Sequence, residues 1–112
     1  MTEDEARQRL ESELRDVEAM RADTAGDRQP VELDQQSVGR LSRMDALQVQ
    51  AMAQATEERR RQRAGKVRAA LRRLDEGLWG ECVGCGEEIA PARLALDPAA
   101  ATCIACASGG DR

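Results

Sequence analysis

At 112 residues the chain is one small domain, or a small domain with an arm. Phenylalanine, tyrosine and histidine are absent, Trp79 is the single aromatic, and 34% of residues are charged. That composition excludes a large apolar core and suits long solvated helices. Net charge is −4, and no apolar run approaches the roughly 20 residues of a membrane span.

The opening Met1-Thr2-Glu3-Asp4-Glu5 is acidic, where a secretory signal is basic and then apolar. Residues 3–23 read as a helix: Leu10, Leu14 and Val17 step by four and three, with charge elsewhere. Thr2 is its expected N-cap and Glu5 completes a capping box, while the acids of the first turn suit the helix dipole. The stripe is narrow, as in a coiled-coil seam. Gly26 is a C′ candidate, and Pro30 ends any continuation by pushing Gln29 out of the helical region.

A second helix is expected over 35–77, with Asp34 as its N-cap. Val38, Leu41, Met44, Leu47, Ala51, Ala55, Val67, Leu71, Leu74 and Leu78 recur at helical spacing, with Gly65 as a tolerated interruption or a bend, and Gly77 and Gly80 closing the run. Such a helix is roughly 64 Å long at 1.5 Å per residue. It is too polar to stand alone, so the first helix folds back on it as an antiparallel pair with a tip near 24–36. Charge is unevenly placed. Residues 1–34 hold eleven acids and five arginines, while Arg59, Arg60, Arg61, Arg63, Lys66, Arg68, Arg72 and Arg73 form a basic stripe. Pairing predicts that Glu3, Asp4, Glu5 and Glu11 approach Arg59 to Arg63. The stripe thus reads first as a coiled-coil flank. The competing reading is a nucleic-acid-binding surface, which the lack of stacking aromatics disfavours.

All four cysteines lie in the last third, as Cys82-Val83-Gly84-Cys85 and Cys103-Ile104-Ala105-Cys106. A tight turn brings residues i and i+3 together, so two such pairs supply four soft ligands to one tetrahedral metal. Four thiolates with no open position describe a closed, structural zinc site. Gly84 and Gly86 suit the turn of a metal knuckle. Two disulfides, a redox dithiol and a rubredoxin-like iron site are the alternatives. Unpaired cysteines without a signal segment point to a reducing cytoplasm. Between the pairs there is room for a short hairpin or turn, with Ile89, Leu94 and Leu96 covering the metal, and Leu78 and Trp79 pack the helix end onto it. The expected fold is mainly α: a long antiparallel coiled-coil hairpin over 1–78, then a small four-cysteine zinc-finger module with a short polar tail over 79–112.

The segment Gly80-Glu81-Cys82-x2-Cys85-Gly86-Glu87-Glu88-Ile89, with Arg93-Leu94, Pro98 and Cys103-Ile104-x-Cys106, resembles the DksA/TraR family of bacterial transcription regulators. Val31-Glu32-Leu33-Asp34-Gln35 and Val38-Gly39-Arg40-Leu41-Ser42-Arg43 resemble its short members. The resemblance implies a non-enzymatic protein that binds RNA polymerase without binding DNA. Its zinc end sits at the rim of the secondary channel, its arm enters, and acidic tip residues alter open-complex stability. The Asp-x-x-Asp-x-Ala tip motif of longer members is absent. Asp34 is the best tip candidate, with Asp27 behind it, although a plain helix cap explains Asp34 equally well.

Longer members also help to bind guanosine tetraphosphate at their interface with polymerase. Counted back from the first cysteine, Lys66 matches a nucleotide-contacting lysine. The family's arginine before the proline is Asp97 here, and the lysine after the last cysteine pair is Ala107. A carboxylate beside a polyphosphate is repulsive, which predicts weak or absent synergy with that nucleotide. An enzyme, either a transcript-cleavage factor or a thiol oxidoreductase, is the third class. It lacks a histidine base, and its sulfurs are committed to metal.

Overall fold

The computed structural model describes residues 1–25 and 40–109. The expected tip residues Asp27 and Asp34, the start of the second helix near Asp34, and the last three tail residues lie outside the described residues.

Helix α1 spans Glu3–Asp23 and helix α2 spans Arg40–Glu76. The N-terminus of α1 is fixed by its own sequence. The Glu5 backbone N–H donates to Thr2 Oγ1 (3.1 Å) and the Thr2 N–H donates to Glu5 Oε1 (2.8 Å), a reciprocal capping box. These bonds hold the Glu5 carboxyl below the usual glutamate range. At its C-terminus the Thr24 N–H and hydroxyl both donate to the Met20 carbonyl. Helix α2 runs through Gly65 without a break. It ends where Gly77 takes a positive φ of 75°. There the Leu78 N–H reaches the Arg73 carbonyl (2.8 Å) and the Gly77 N–H reaches the Leu74 carbonyl (3.3 Å). This 6→1 and 5→2 pattern is a Schellman closure, and it needs a left-handed residue.

The two helices pack antiparallel. Ala6 and Leu10 of α1 are fully buried against Val67, Ala70 and Leu74 of α2, with Leu14 and Leu71 at the margin. The alanines let the backbones approach closely, and Leu10 and Val67 fill the gap between them. Ion pairs fix the register: Arg7 with Asp75 at 2.9 Å, Arg68 with Glu18 at 3.0 Å, and Arg21 with Glu57 at 2.9 Å. Thr24 receives a bond from Arg60.

This register corrects two expectations. The Glu3–Glu5 turn does not approach Arg59 to Arg63. Glu3 instead shares a groove with Trp79 and Glu81, because α1 ends level with residues 57–60 and its start therefore meets the end of α2. The second correction concerns the stripe of α2. Val67 and Leu74 are in the seam, but Met44 and Leu47 are 59% and 47% exposed, and Ala51 and Ala55 are exposed too. That stretch of α2 extends past the end of α1. There the half-buried positions are Arg43, Ala46, Gln50 and Ala53, away from the Met44–Leu47 face of the helix. Leu78 is 47% exposed as well, leaving Trp79 to bridge to the C-terminal module.

The module is small. Glu81 and Glu88 form an antiparallel bridge, helix α3 spans Pro91–Leu96, and helix α4 spans Ile104–Ala107. Cys82, Ile89 and Leu94 are its buried residues, with Trp79, Ala100, Cys103 and Cys106 packed around them. Leu96, expected to cover the metal, is 85% exposed. In the six-residue α3, Leu94 takes the inward position, and two residues later the helix has turned away. Among the described residues no helix is long and apolar enough to cross a membrane.

Candidate metal centre

The two cysteine pairs converge. The ligand atoms of Cys82, Cys85, Cys103 and Cys106 all lie within 4.8 Å of one another, and the Cys85 and Cys103 sulfurs are 3.8 Å apart. Four sulfurs at about 2.3 Å from one tetrahedral ion stand about 3.8 Å apart, so the set has the spacing of a zinc site. It is held by backbone. The Cys82 N–H donates to the Glu87 carbonyl (2.7 Å) and the Gly86 N–H to the Cys82 carbonyl (2.8 Å), which closes the first knuckle. Gly86 takes a φ of 79° there. The Val83 N–H donates to the Ala101 carbonyl (2.8 Å), which brings the second pair alongside. Gly84 has a steric role: a Cβ built on it would lie 3.1 Å from the Cys106 sulfur.

The electrostatics fit a cation. Backbone N–H groups of Cys103, Cys85 and Gly84 favour the Cys82 thiolate and bring it down to about 6; the Gly84 N–H lies 3.3 Å from that sulfur. Cys106 is pushed up to about 12, chiefly by the sulfurs of Cys82, Cys103 and Cys85. Four thiolates cannot gather in so small a space without positive charge. A divalent soft ion supplies that charge and offers nothing to an outside ligand once four sulfurs hold it.

The other predicted residues fall elsewhere. Lys66 lines a groove of about 570 Å³ between α2 and the module, together with Arg73, Arg93 and Asp97. The sequence did not reveal that Asp97 is tied up by Arg63. The Arg63 Nη1 and Nη2 groups donate to Asp97 at 3.1 and 2.9 Å, and Nη2 and Nε grip Glu13 on α1. Both carboxylates raise the Arg63 guanidinium above its ordinary value, Glu13 the more strongly, and Arg63 in turn holds Asp97 below the usual aspartate range. Much of the basic stripe is similarly engaged: Arg59 with Thr56, Arg60 with Thr24, Arg61 with Glu58 and Arg68 with Glu18. The flank reading of that stripe accounts for the contacts of Arg60 and Arg68, which cross to the α1 side, whereas those of Arg59 and Arg61 lie within α2.

Residues 77–109 match the prokaryotic dksA/traR C4-type zinc finger. The module is therefore a zinc finger of the DksA/TraR family, and its cofactor is zinc. The whole chain is similar in fold to transcription factor DksA2 from Pseudomonas aeruginosa. The TM-score is 0.76 at 23% identity, over 96% of this chain and 81% of that one. No curated protein matches the sequence significantly.

Proposed function

We propose that this protein is a DksA/TraR-type transcription regulator that binds RNA polymerase through its secondary channel and modulates initiation without binding DNA. Cys82, Cys85, Cys103 and Cys106 are the zinc ligands, residues 1–78 form the arm, and residues 79–112 form the zinc-finger end that seats it. The observation that carries this reading is the joining of a DksA/TraR zinc finger to a two-helix arm whose fold is shared with a solved transcription factor. A two-helix arm is narrow enough to enter a pore that excludes a globule. Its base is held by a metal site with no open position, so the protein acts by position, as a cytoplasmic non-enzymatic factor. Asp34 is the candidate tip residue.

Guanosine tetraphosphate synergy is weak or absent. Lys66 is available, but Asp97 brings a carboxylate to the same groove and Ala107 brings no charge. The nucleic-acid reading loses ground because so many arginines of the stripe already hold intrachain partners. Zinc-loaded, labelled protein should bind purified bacterial RNA polymerase and be displaced by a transcript-cleavage factor that occupies the secondary channel. Asp34→Asn should then leave docking intact and reduce the effect on initiation. No binding at micromolar concentration, or binding that the cleavage factor does not compete, would remove the proposal.

A further inference from the structure

A second groove, of about 480 Å³, opens at the base of the arm, between the start of α1 and the zinc finger. Its floor is apolar: Trp79, Ile89 and Leu94. Its rim carries Glu3, Glu81 and Glu88, all exposed, with Met1 at the Glu3 end; no lysine or arginine side chain lines it, so the acids outnumber the single α-ammonium of Met1. Ion pairs elsewhere in the hairpin are abundant, yet none of these three carboxylates has one among the described residues.

The backbone forces two of the acids together. The Cys82 N–H donates to the Glu87 carbonyl and the Ile89 N–H to the Gly80 carbonyl. These bonds flank the Glu81–Glu88 bridge, which makes it the non-hydrogen-bonded kind of antiparallel pair, the one in which facing side chains are closest. Like charges directly opposite on a ladder are destabilising. The Trp79 indole is locked beside them, because its Nε1–H donates to the Pro98 carbonyl at 2.9 Å. An aromatic face, an apolar floor and a concentrated negative rim complement one kind of side chain: a planar cation with an apolar stem. Guanidinium stacks on indole and bonds carboxylates in a fork, which an ammonium does not do.

We infer that this groove docks a segment of a partner protein that presents an arginine flanked by apolar residues. The arginine lies against Trp79, with its charge at Glu81 and Glu88. This goes beyond the polymerase reading and does not depend on it, since the recognition chemistry is that of the groove alone.

Trp79 is the only aromatic residue, so all of the protein's tryptophan emission comes from the wall of this groove. The test titrates the zinc-loaded full chain with the blocked peptide Ac-Leu-Arg-Val-Arg-Leu-amide and with the same peptide carrying citrulline at both arginines. Expected is a saturable change in emission with the arginine peptide, weakened at least tenfold by citrulline and at least tenfold in the E81Q/E88Q double variant. Both positions are exposed, so the variant should keep the wild-type circular dichroism and zinc content. A response equal for both peptides would mean simple apolar docking, and a response to magnesium or calcium chloride alone would mean an inorganic cation site. Either result overturns the inference, as does an unchanged affinity in the double variant or no saturable response to the arginine peptide at millimolar concentration.

Discussion

Arg63 is the residue whose removal tests the architecture most directly. It sits on α2, grips Glu13 on α1 with one fork and Asp97 on the zinc-finger segment with another, and is 32% exposed against 35% and 43% for its partners. Arg63→Met keeps most of the aliphatic stem and deletes both forks. Exposed ion pairs are worth about 0.2–1 kcal/mol, and bidentate, half-shielded ones lie at the upper end. Two forks therefore contribute about 1–2 kcal/mol, and leaving two carboxylates facing each other adds a few tenths. The total is about 2 kcal/mol. For a domain of about 100 residues each kcal/mol moves Tm by about 4–8 °C, so the variant should melt roughly 8–15 °C lower in circular dichroism of the zinc-loaded protein. The pH dependence follows from Asp97, whose pKa the Arg63 fork lowers in the folded state. A lowered folded pKa contributes stability above the unfolded value of about 3.9, and that contribution is lost as pH falls through the folded value. The gap between wild type and variant should accordingly be full at neutral pH and narrow as the pH falls toward about 4, where protonation of the zinc thiolates adds to the loss. A Tm within about 2 °C of wild type at pH 7, or a gap that does not narrow in acid, would refute the clamp.

Three further outcomes are expected. Leu10→Ala should cost about 3 kcal/mol in urea unfolding, since Leu10 is fully buried between the helices, whereas Met52→Ala at a 65% exposed position should change the midpoint little. Removing zinc with a chelator, or replacing Cys103 by serine, should expose residues 77–109 to protease while most ellipticity at 222 nm remains, because α1 and α2 hold most of the helix. Gly84→Ala should weaken zinc binding about tenfold in competition with a chromophoric chelator, as the added methyl sits 3.1 Å from the Cys106 sulfur and forces α4 outward.

The parts legible in the sequence are those fixed within a few residues. Thr2 and Glu5 announce the start of α1 because a capping box closes over one turn, and each Cys-x2-Cys announces two converging thiols for the same reason, the first pair on a knuckle and the second on the opening turn of α4. The zinc-finger segment could also be matched as a whole. Register was not legible. It depends on where the hairpin turns, and placing the acidic turn opposite Arg59 to Arg63 was wrong by about four helical turns. The seam of α2 was obscure for another reason. At Ala64 and Ala70 it is built on alanine, which looks the same in sequence as the exposed Ala51 and Ala55, while Met44 and Leu47 fit the helical period but lie on a face α1 never reaches. The Arg63–Asp97 clamp joins residues 34 apart in sequence, and nothing local marks it.

Those long-range contacts explain how a metal site can govern an arm it does not touch. Arg9 on α1 donates to the Ala95 carbonyl at 2.7 Å, Arg63 holds Asp97, and Trp79 donates to Pro98. Ala99 is buried in the same cluster as Leu10 and Leu74. All of these end on residues 95–99. On the far side of the same strap, Ala101 accepts from Val83 inside the first knuckle, Thr102 accepts from Arg93 at 2.8 Å, and Cys103 follows directly. The strap is thus pinned to the hairpin at one end and to the metal centre at the other. The hairpin keeps its own seam of Leu10, Val67, Ala70 and Leu74 whether or not the strap is held. Loss of zinc frees one end of the strap, so it removes the orientation of the arm relative to its base and leaves the arm itself. An apoprotein would then be helical with a misdirected arm, so under the proposed function circular dichroism and polymerase binding should part company when the metal is withdrawn.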